Sequence, residues 1–173
     1  PGLQALMVKS NLVKEVGISD IVFKIGPRIN ASGRLEHAKA SVELLCSTEL
    51  DVAMERAKLV DEVNLTRRNF DENITKEAFE MMEIREETGQ WNSTVLFKED
   101  WHKGVIGIVA SRCIEKYYRP TIILTESNSK ATGSARSVVD FDIYEAIAEC
   151  SDLLEQFGGH KYAAGLRLSV ENV

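Results

Sequence analysis

Three short stretches of this chain hold residue types that could handle an anionic substrate. In "GPRINASGR", Arg28 and Arg34 flank Asn30, and a guanidinium offers a planar fork of donors that matches two phosphate oxygens at once. In "TGSARS", Ser134 and Arg136 lie two residues apart, so on a strand they project from the same face. In "FGGHKYAAG", Gly158 and Gly159 strip side chains from the backbone beside His160, leaving bare N–H groups and an imidazole for an anion to approach. Each stretch also has a plain alternative. Surface arginines are commonly solvated, a hydroxyl and a charge suit any exposed strand face, and a glycine pair after a helical run is an ordinary C-cap. "EDWHKGVIG" divides in the same way, with His102 either touching a ligand or simply packing or facing water beside Trp101.

What is lacking narrows the chemistry. Metal-assisted hydrolysis needs several carboxylates and histidines converging on one point, yet His37, His102 and His160 stand isolated, with no H-x-x-x-H or H-E-x-x-H spacing. No Walker phosphate loop, G-x-S-x-G elbow or dinucleotide fingerprint occurs. The chain is therefore expected to bind rather than to carry a complete hydrolytic centre.

These residues must be positioned by a modest structure. With 173 residues and 44% hydrophobic content, the chain can build one ordinary domain or two small ones. No run approaches the roughly 20 apolar residues that cross a bilayer, and no signal segment opens the chain, so a soluble, cytoplasmic protein is expected. The first residue is Pro1 and the last is Val173, which reads as an excised piece of a longer protein. Cys46, Cys113 and Cys150 are far apart and sit in apolar helical patterns, so they are expected to be buried, reduced thiols.

The formal net charge of −6 argues against simple coating of nucleic acid, but the charge is unevenly spread. Residues 43–88 hold thirteen acids against six bases, and residues 140–173 seven against two. Residues 20–40 carry four bases and two acids, and residues 98–139 seven bases and four acids. If the fold joins the last two segments, an acidic protein acquires a basic cleft.

Apolar spacing and breakers predict the elements. Residues 3–16 read as the tail of a helix ended by Gly17, residues 21–23 as a short extended piece, and residues 24–38 as a loop, because Pro27 disfavours helix at Gly26. Helical spacing returns over 35–46, and Ser47 or Thr48 fits an N-cap for the next helix. From there to Gly89 no glycine or proline intervenes; a continuous helix of about 40 residues would be roughly 60 Å long, with a break near Asn64 as the alternative. Beyond Gly89 the pattern predicts strands over 93–98, 120–126, 131–137 and 165–170, and helices over 104–117 and 142–157. That β-α-β-β-α-β order predicts an α/β fold, a small mixed β-sheet flanked by helices.

Taken together, "GPRINASGRL", "DWHKGVIGIVASRCIEKYYRPTIIL", "GSARS" and "FGGHKYAAG" resemble, in order and spacing, the RecJ branch of the DHH phosphoesterases. The resemblance implies that residues 1–46 end a truncated DHH lobe, residues 47–89 form a connector helix, and residues 90–173 form a DHHA1 domain. It implies a metal-dependent exonuclease that hydrolyses single-stranded DNA 5′-to-3′ in repair and recombination. Its Mn²⁺ or Mg²⁺ ions are held by aspartates and an Asp-His-His motif in the N-terminal lobe. No Asp-His-His occurs here, so no metal is expected in this chain, and the chain alone is expected to be inactive. On the same resemblance His160 and Arg136 support catalysis at the phosphate, while Arg28, Asn30, Arg34, Ser134, Gly158 and Gly159 hold the DNA. The implied partner is single-stranded DNA, with no membrane and no identifiable protein partner. Related substrates remain open: short oligonucleotides, cyclic dinucleotides or phosphoadenosine phosphate, or an accessory nucleic-acid-binding role as in alanyl-tRNA synthetases.

Overall fold

The computed structural model describes residues 1–12, 15–87 and 89–173. The chain divides into two compact units, Pro1–Asn69 and Phe70–Val173. The boundary falls inside one long helix, so each unit uses part of that helix as its own packing element.

The first unit is helical: α1 (Gly2–Lys9), α2 (Ile18–Asp20), a π-type stretch (Ile21–Ile25), α3 (Gly26–Leu35), α4 (Lys39–Leu45) and the start of α5 (Leu50–Glu86). The helix expected over 3–16 ends at Lys9, and its residues 13 and 14 lie outside the described residues. The extended piece over 21–23 is corrected to helix, and so is the loop over 24–38 as far as Leu35; residues 36–38 form a loop as expected. Pro27 sits at the start of α3, where its missing N–H costs little. The residue before it is a glycine, with no Cβ to clash with the proline ring, so Gly26 stays in the α region at φ −54° and ψ −45°. The π-type stretch lies directly ahead, where the proline interrupts the hydrogen-bond ladder.

The helix expected over 35–46 begins only at Lys39, because Glu36 leaves helical geometry at φ −136° and ψ −137°. Ser47, expected as a cap for α5, instead donates to the Glu43 carbonyl at 2.9 Å and so finishes α4. The unit's core gathers Ala5, Leu6, Ile25 and Leu44 against Ala53 and Ala57 of α5. α5 runs unbroken for 37 residues. Asn64 does not break it; the residue is buried and its side-chain Oδ1 accepts from Arg67 Nη2 at 2.9 Å.

The second unit packs the rest of α5 and two shorter helices with a five-stranded sheet. Its elements are β1 (Thr94–Phe97), α6 (Ile106–Tyr117), β2 (Thr121–Ser127), β3 (Lys130–Arg136), α7 (Ile143–Ala148), β4 (Leu154–His160) and β5 (Ala163–Leu168). The strand order is β1-β2-β3-β5-β4, with β1 and β2 parallel across α6 and the remaining pairs antiparallel. β2 and β3 are joined through Asn128 and Ser129, both left-handed at φ 55° and 58°, the conformation that suits a two-residue hairpin.

β4 corrects the sequence expectation most. The helix predicted over 142–157 stops at Ala148; it is capped as expected by Asp142, whose carboxylate accepts from the Tyr144 and Glu145 amides. The chain then enters a strand that bulges at Glu155, because Leu154 pairs with Leu168 while Gln156 pairs with Arg167. The bulge lets Leu154 and Phe157 both pack against the same core. Their three-residue spacing mimics a helix, although it arises from one extra strand residue.

One sheet face carries Leu124, Ala135, Ala164 and Leu166 into a core closed by Ile143 and Ile147 of α7. The opposite face is covered by α6 over β2 and β3. Cys113 of α6 is buried there, and burial pushes its thiol up to about 11. Cys46 and Cys150 correct the expectation of burial, since both lie just past helix ends and are exposed.

A seam of charge fastens the C-terminal part of α5 to α6 and to the loop before it. Asp71, 2% exposed, accepts from Arg112 Nη2 at 2.8 Å. Glu83 and Glu86 meet Lys116 and Arg119 at 2.7 and 2.6 Å. Glu77 accepts from Lys98 at 2.8 Å and the Trp101 indole at 2.7 Å, and those hydrogen bonds, that of Lys98 first, hold its carboxyl below the usual range. Exposed pairs such as Lys116–Glu83 contribute little, but Asp71 and Arg119 are buried charges. Arg112→Ala removes the charged partner and leaves Asp71 with others, the Thr75 hydroxyl among them, at a cost of about 2 kcal/mol, and thermal unfolding of the variant should show a lowered midpoint; an unchanged midpoint would remove the pair from the account of stability.

Candidate nucleic-acid interface

The register of β3, β5 and β4 arranges the predicted residues in rows. Arg136 stands opposite Ala163, which stands opposite His160; two residues along, Ser134, Gly165 and Gly158 form the next row. A third row is Thr132, Arg167 and Gln156. Strand alternation puts all three rows on one face, the face that α6 covers over β2 and β3. The middle strand contributes only a methyl and a hydrogen at Ala163 and Gly165, so Ser134, Arg136 and His160 border a flat floor.

Local structure holds the pieces in place. The hairpin tip beyond His160 is tied down by amides donating to it, Ser137 N to the Tyr162 carbonyl and Ile143 N to the Lys161 carbonyl. His160 itself is exposed, and its Nδ1 accepts from the Tyr162 amide at 3.2 Å. In the neutral ring that bond places the proton on Nε2, which is thereby a donor. Arg136 Nη1 donates to Ser134 Oγ at 3.1 Å and to the Ala135 carbonyl at 2.8 Å. α6 approaches this pair through Gly107, where a Cβ would stand 2.9 Å from Ser134 Oγ and 3.0 Å from Arg136 Nη2. Glycine inside a helix costs about 1 kcal/mol relative to alanine, so its presence here has a steric reason.

The two glycines before His160 do different jobs. Both lie in β4, which corrects the expected helix C-cap. Gly159 faces the α7 side opposite Ala164; its φ is +156°, and a Cβ would come within 2.3 Å of the Ala163 carbonyl oxygen. Gly158 has nothing within 4 Å of the same construction and opens onto the face described above. Its bareness is not a packing requirement.

From the Ser134 row the floor continues into a groove of about 410 Å³ lined by Lys103, Thr132, Gln156, Gly158, Gly165 and Arg167, among others. Among the described residues two cations and no carboxylate line it, in a chain of net charge −6. Gln156 and Arg167 escape sequence reasoning because the bulge disguises β4 as helix, whereas Thr132 is legible once "TGSAR" is read as a strand. Lys103 belongs to the loop over 98–105, which the buried Thr125 hydroxyl secures by donating to the Glu99 and Trp101 carbonyls at 3.2 and 2.6 Å. In the same loop His102 is spent on packing: it stacks on Phe70 at 5.2 Å, and its Nδ1 accepts from the Gly104 amide. Burial first, then the charge of Lys103, pushes its pKa down.

Arg28, Asn30 and Arg34 lie on α3 of the first unit. Arg28 turns inward, its side chain 13% exposed, and donates to Asp61 Oδ1 at 2.7 Å, the Lys24 carbonyl at 2.7 Å and the Lys9 carbonyl at 3.4 Å. A phosphate contact from Arg28 would compete with Asp61. Asn30 and Arg34, one helical turn apart, are both exposed. Beneath them Ser41 Oγ donates to the Ile29 carbonyl at 3.1 Å and lies 2.9 Å from Ser32 Oγ, which holds α4 against α3.

Among the described residues no group of three or more His, Cys, Asp or Glu side chains could hold a metal ion. Asp142, in the closely spaced pair Asp140 and Asp142, is committed to capping α7. The residues present do not fit a metal centre, and they fit the handling of an anion. Among the described residues no helix is long and apolar enough to cross a membrane.

The glycine pair gives a direct test. Gly159→Ala should lower stability by about 1–3 kcal/mol through the clash with β5. Gly158→Ala should leave stability within about 1 kcal/mol of the parent while weakening binding of an anionic polymer. The reverse pattern in unfolding and binding measurements would show the roles to be misassigned.

Residues 91–173 match the DHHA1 domain. The chain is 39% identical over 163 residues to the single-stranded-DNA-specific exonuclease RecJ of Bacillus subtilis, covering 93% of this chain and 20% of that protein. It is 37% identical over 187 residues to its namesake in Haemophilus influenzae, covering 99% of this chain and 31% of that protein. Among solved structures, the crystal structure of RecJ in complex with Mg²⁺ from Thermus thermophilus matches with a TM-score of 0.84 at 29% identity, over 97% of this chain and 26% of that one. The chain thus spans between 20% and 31% of these two relatives. With "GSARS" on β3 and "FGGH" on β4, on either side of β5, residues 91–173 are a DHHA1 domain, and the chain as a whole matches part of RecJ over nearly its entire length.

Proposed function

We propose that this chain holds single-stranded DNA by its sugar–phosphate backbone for a metal-dependent 5′-to-3′ exonuclease, and that Mn²⁺ or Mg²⁺ is bound by a part of the longer protein outside these residues. The observation that carries the proposal is the open sheet face on which Ser134, Arg136, Gly158 and His160 stand in register around a floor of Gly165 and Ala163. Its support from relatives is that those it matches are single-stranded-DNA-specific exonucleases, and that solved RecJ structures are complexes with Mg²⁺ or Mn²⁺.

On this reading residues 1–46 belong to the end of the DHH lobe, residues 47–89 are the connector and residues 90–173 the DHHA1 domain, in a cytoplasmic protein of DNA repair and recombination. Arg136 neutralises charge on a phosphate, and His160 donates its Nε2 proton to an oxygen of the scissile or adjacent phosphate. Donors aimed where negative charge accumulates favour the transition state over the ground state. Ser134 positions the same phosphate, and Gly158 allows the backbone close, while Gly159 acts indirectly by letting β4 lie against β5. In the first unit Asn30 and Arg34 offer further backbone contacts, with Arg28 ordering α3 beneath them. Phosphate contacts carry no sequence information, so one such site serves every sequence in turn.

Binding of labelled oligonucleotides to the purified chain should weaken with salt, the logarithmic slope falling by about 0.7 for each phosphate neutralised, and should not distinguish sequences. The chain alone should show no Mn²⁺-dependent cleavage. In the longer protein, Arg136→Ala and His160→Ala should each lower turnover by about 100-fold; unchanged turnover, or salt-insensitive binding, contradicts the proposal.

A further inference from the structure

The site proposed above accounts for two of the three rows on the open face. The third row, Thr132–Arg167–Gln156, lies one two-residue strand step beyond Ser134, about 6.8 Å along the sheet. An extended nucleic-acid strand can match that step from one nucleotide to the next. With Lys103 this row lines the groove that leads away from Ser134, and among the described residues its lining holds no carboxylate. We propose that Lys103, Thr132, Gln156 and Arg167 form a second subsite, which takes the backbone phosphates of the nucleotides following the one held by Arg136 and His160.

Three features of the fold point to a ligand here. The bulge at Glu155 turns Leu154 to the core and leaves Gln156 on the face of Gly158 and His160, and bulges commonly re-aim a side chain beside a functional site. Arg167 stands apart from the arginines of the seam. Arg112 and Arg119 are bound to Asp71 and Glu86 at 2.8 and 2.6 Å, whereas Arg167 Nε is 3.7 Å from Glu155 and is a buried nitrogen without a hydrogen-bond partner. An unmet buried donor in a native fold calls for a reason, and a guanidinium held loosely at a groove can turn to an incoming phosphate. Finally, Gly165 and Gly158 leave the groove floor without side chains, so a strand leaving the first row meets backbone and no obstruction.

This inference rests on the strand-binding reading, and its test separates the two. Affinity of the full 173-residue chain would be measured for 5′-phosphorylated oligothymidylates, from the dinucleotide upward, at several salt concentrations. For the parent chain affinity should rise with length. In Lys103→Ala/Arg167→Ala that gain should vanish: binding of long strands should weaken roughly tenfold, and the salt slope should fall by about 1.4, for two lost phosphate contacts. Dinucleotide binding should be unchanged. Lys103→Glu, on an exposed side chain, should weaken long strands in the same way without touching the packing of Arg167. If long-strand affinity and slope are unaffected by these changes while Arg136→Ala still weakens binding, the second subsite is overturned and the first stands. If the parent chain binds no strand at any length, both fall.

Discussion

The arrangement of the second unit depends on a charge pair whose acid is buried. Asp71 on α5 is out of water and is answered by Arg112 on α6, which joins the two helices at a point where neither can slide without breaking a charged hydrogen bond to a buried carboxylate. Around it, two further ion pairs and the stacking of Phe70 on His102 complete the seam. Its consequence is positional. α6 is held over β2 and β3, and the same sheet face beyond β3 is left open.

That open half owes its character to small residues and to one irregularity. Ala163, Gly165 and Gly158 keep the floor flat, and Gly107 lets α6 reach the Ser134–Arg136 pair without displacing it. The bulge at Glu155 reconciles two demands that a regular strand cannot meet, because it sends Leu154 and Phe157 to the core while Gln156, Gly158 and His160 face outward. An acidic chain can therefore present a surface suited to an anionic polymer: many of its carboxylates lie on α5, and the groove is lined by Lys103 and Arg167.

Much of this was legible in the sequence, for reasons that particular residues make clear. The β-branched run of β2 and the two-residue alternation of Thr132, Ser134 and Arg136 announce strands, and the freedom from glycine and proline through α5 announces one long helix. Two segments were misread because a local rule met an exception. Pro27 reads as a breaker, yet a proline entering a helix after glycine does little harm, so α3 is helical. Leu154 and Phe157 are spaced like a helix because of the bulge, which hid β4, and with it Gln156 and the partnership of Arg167. Arg28 was legible as a cation, but its engagement with Asp61, thirty-three residues along the chain, is a tertiary fact that no local pattern contains.

The central claim is that a single strand of DNA lies on the open sheet face between β3 and β4. It is tested most directly by titrating unlabelled oligothymidylate into the isotope-labelled chain and following the backbone amide resonances. The account predicts shifts at Ser134, Gly158, His160 and Gly165, with Ile143 and Ile147 on the α7 side undisturbed. Shifts centred on α7, with the open face silent at saturation, would contradict it.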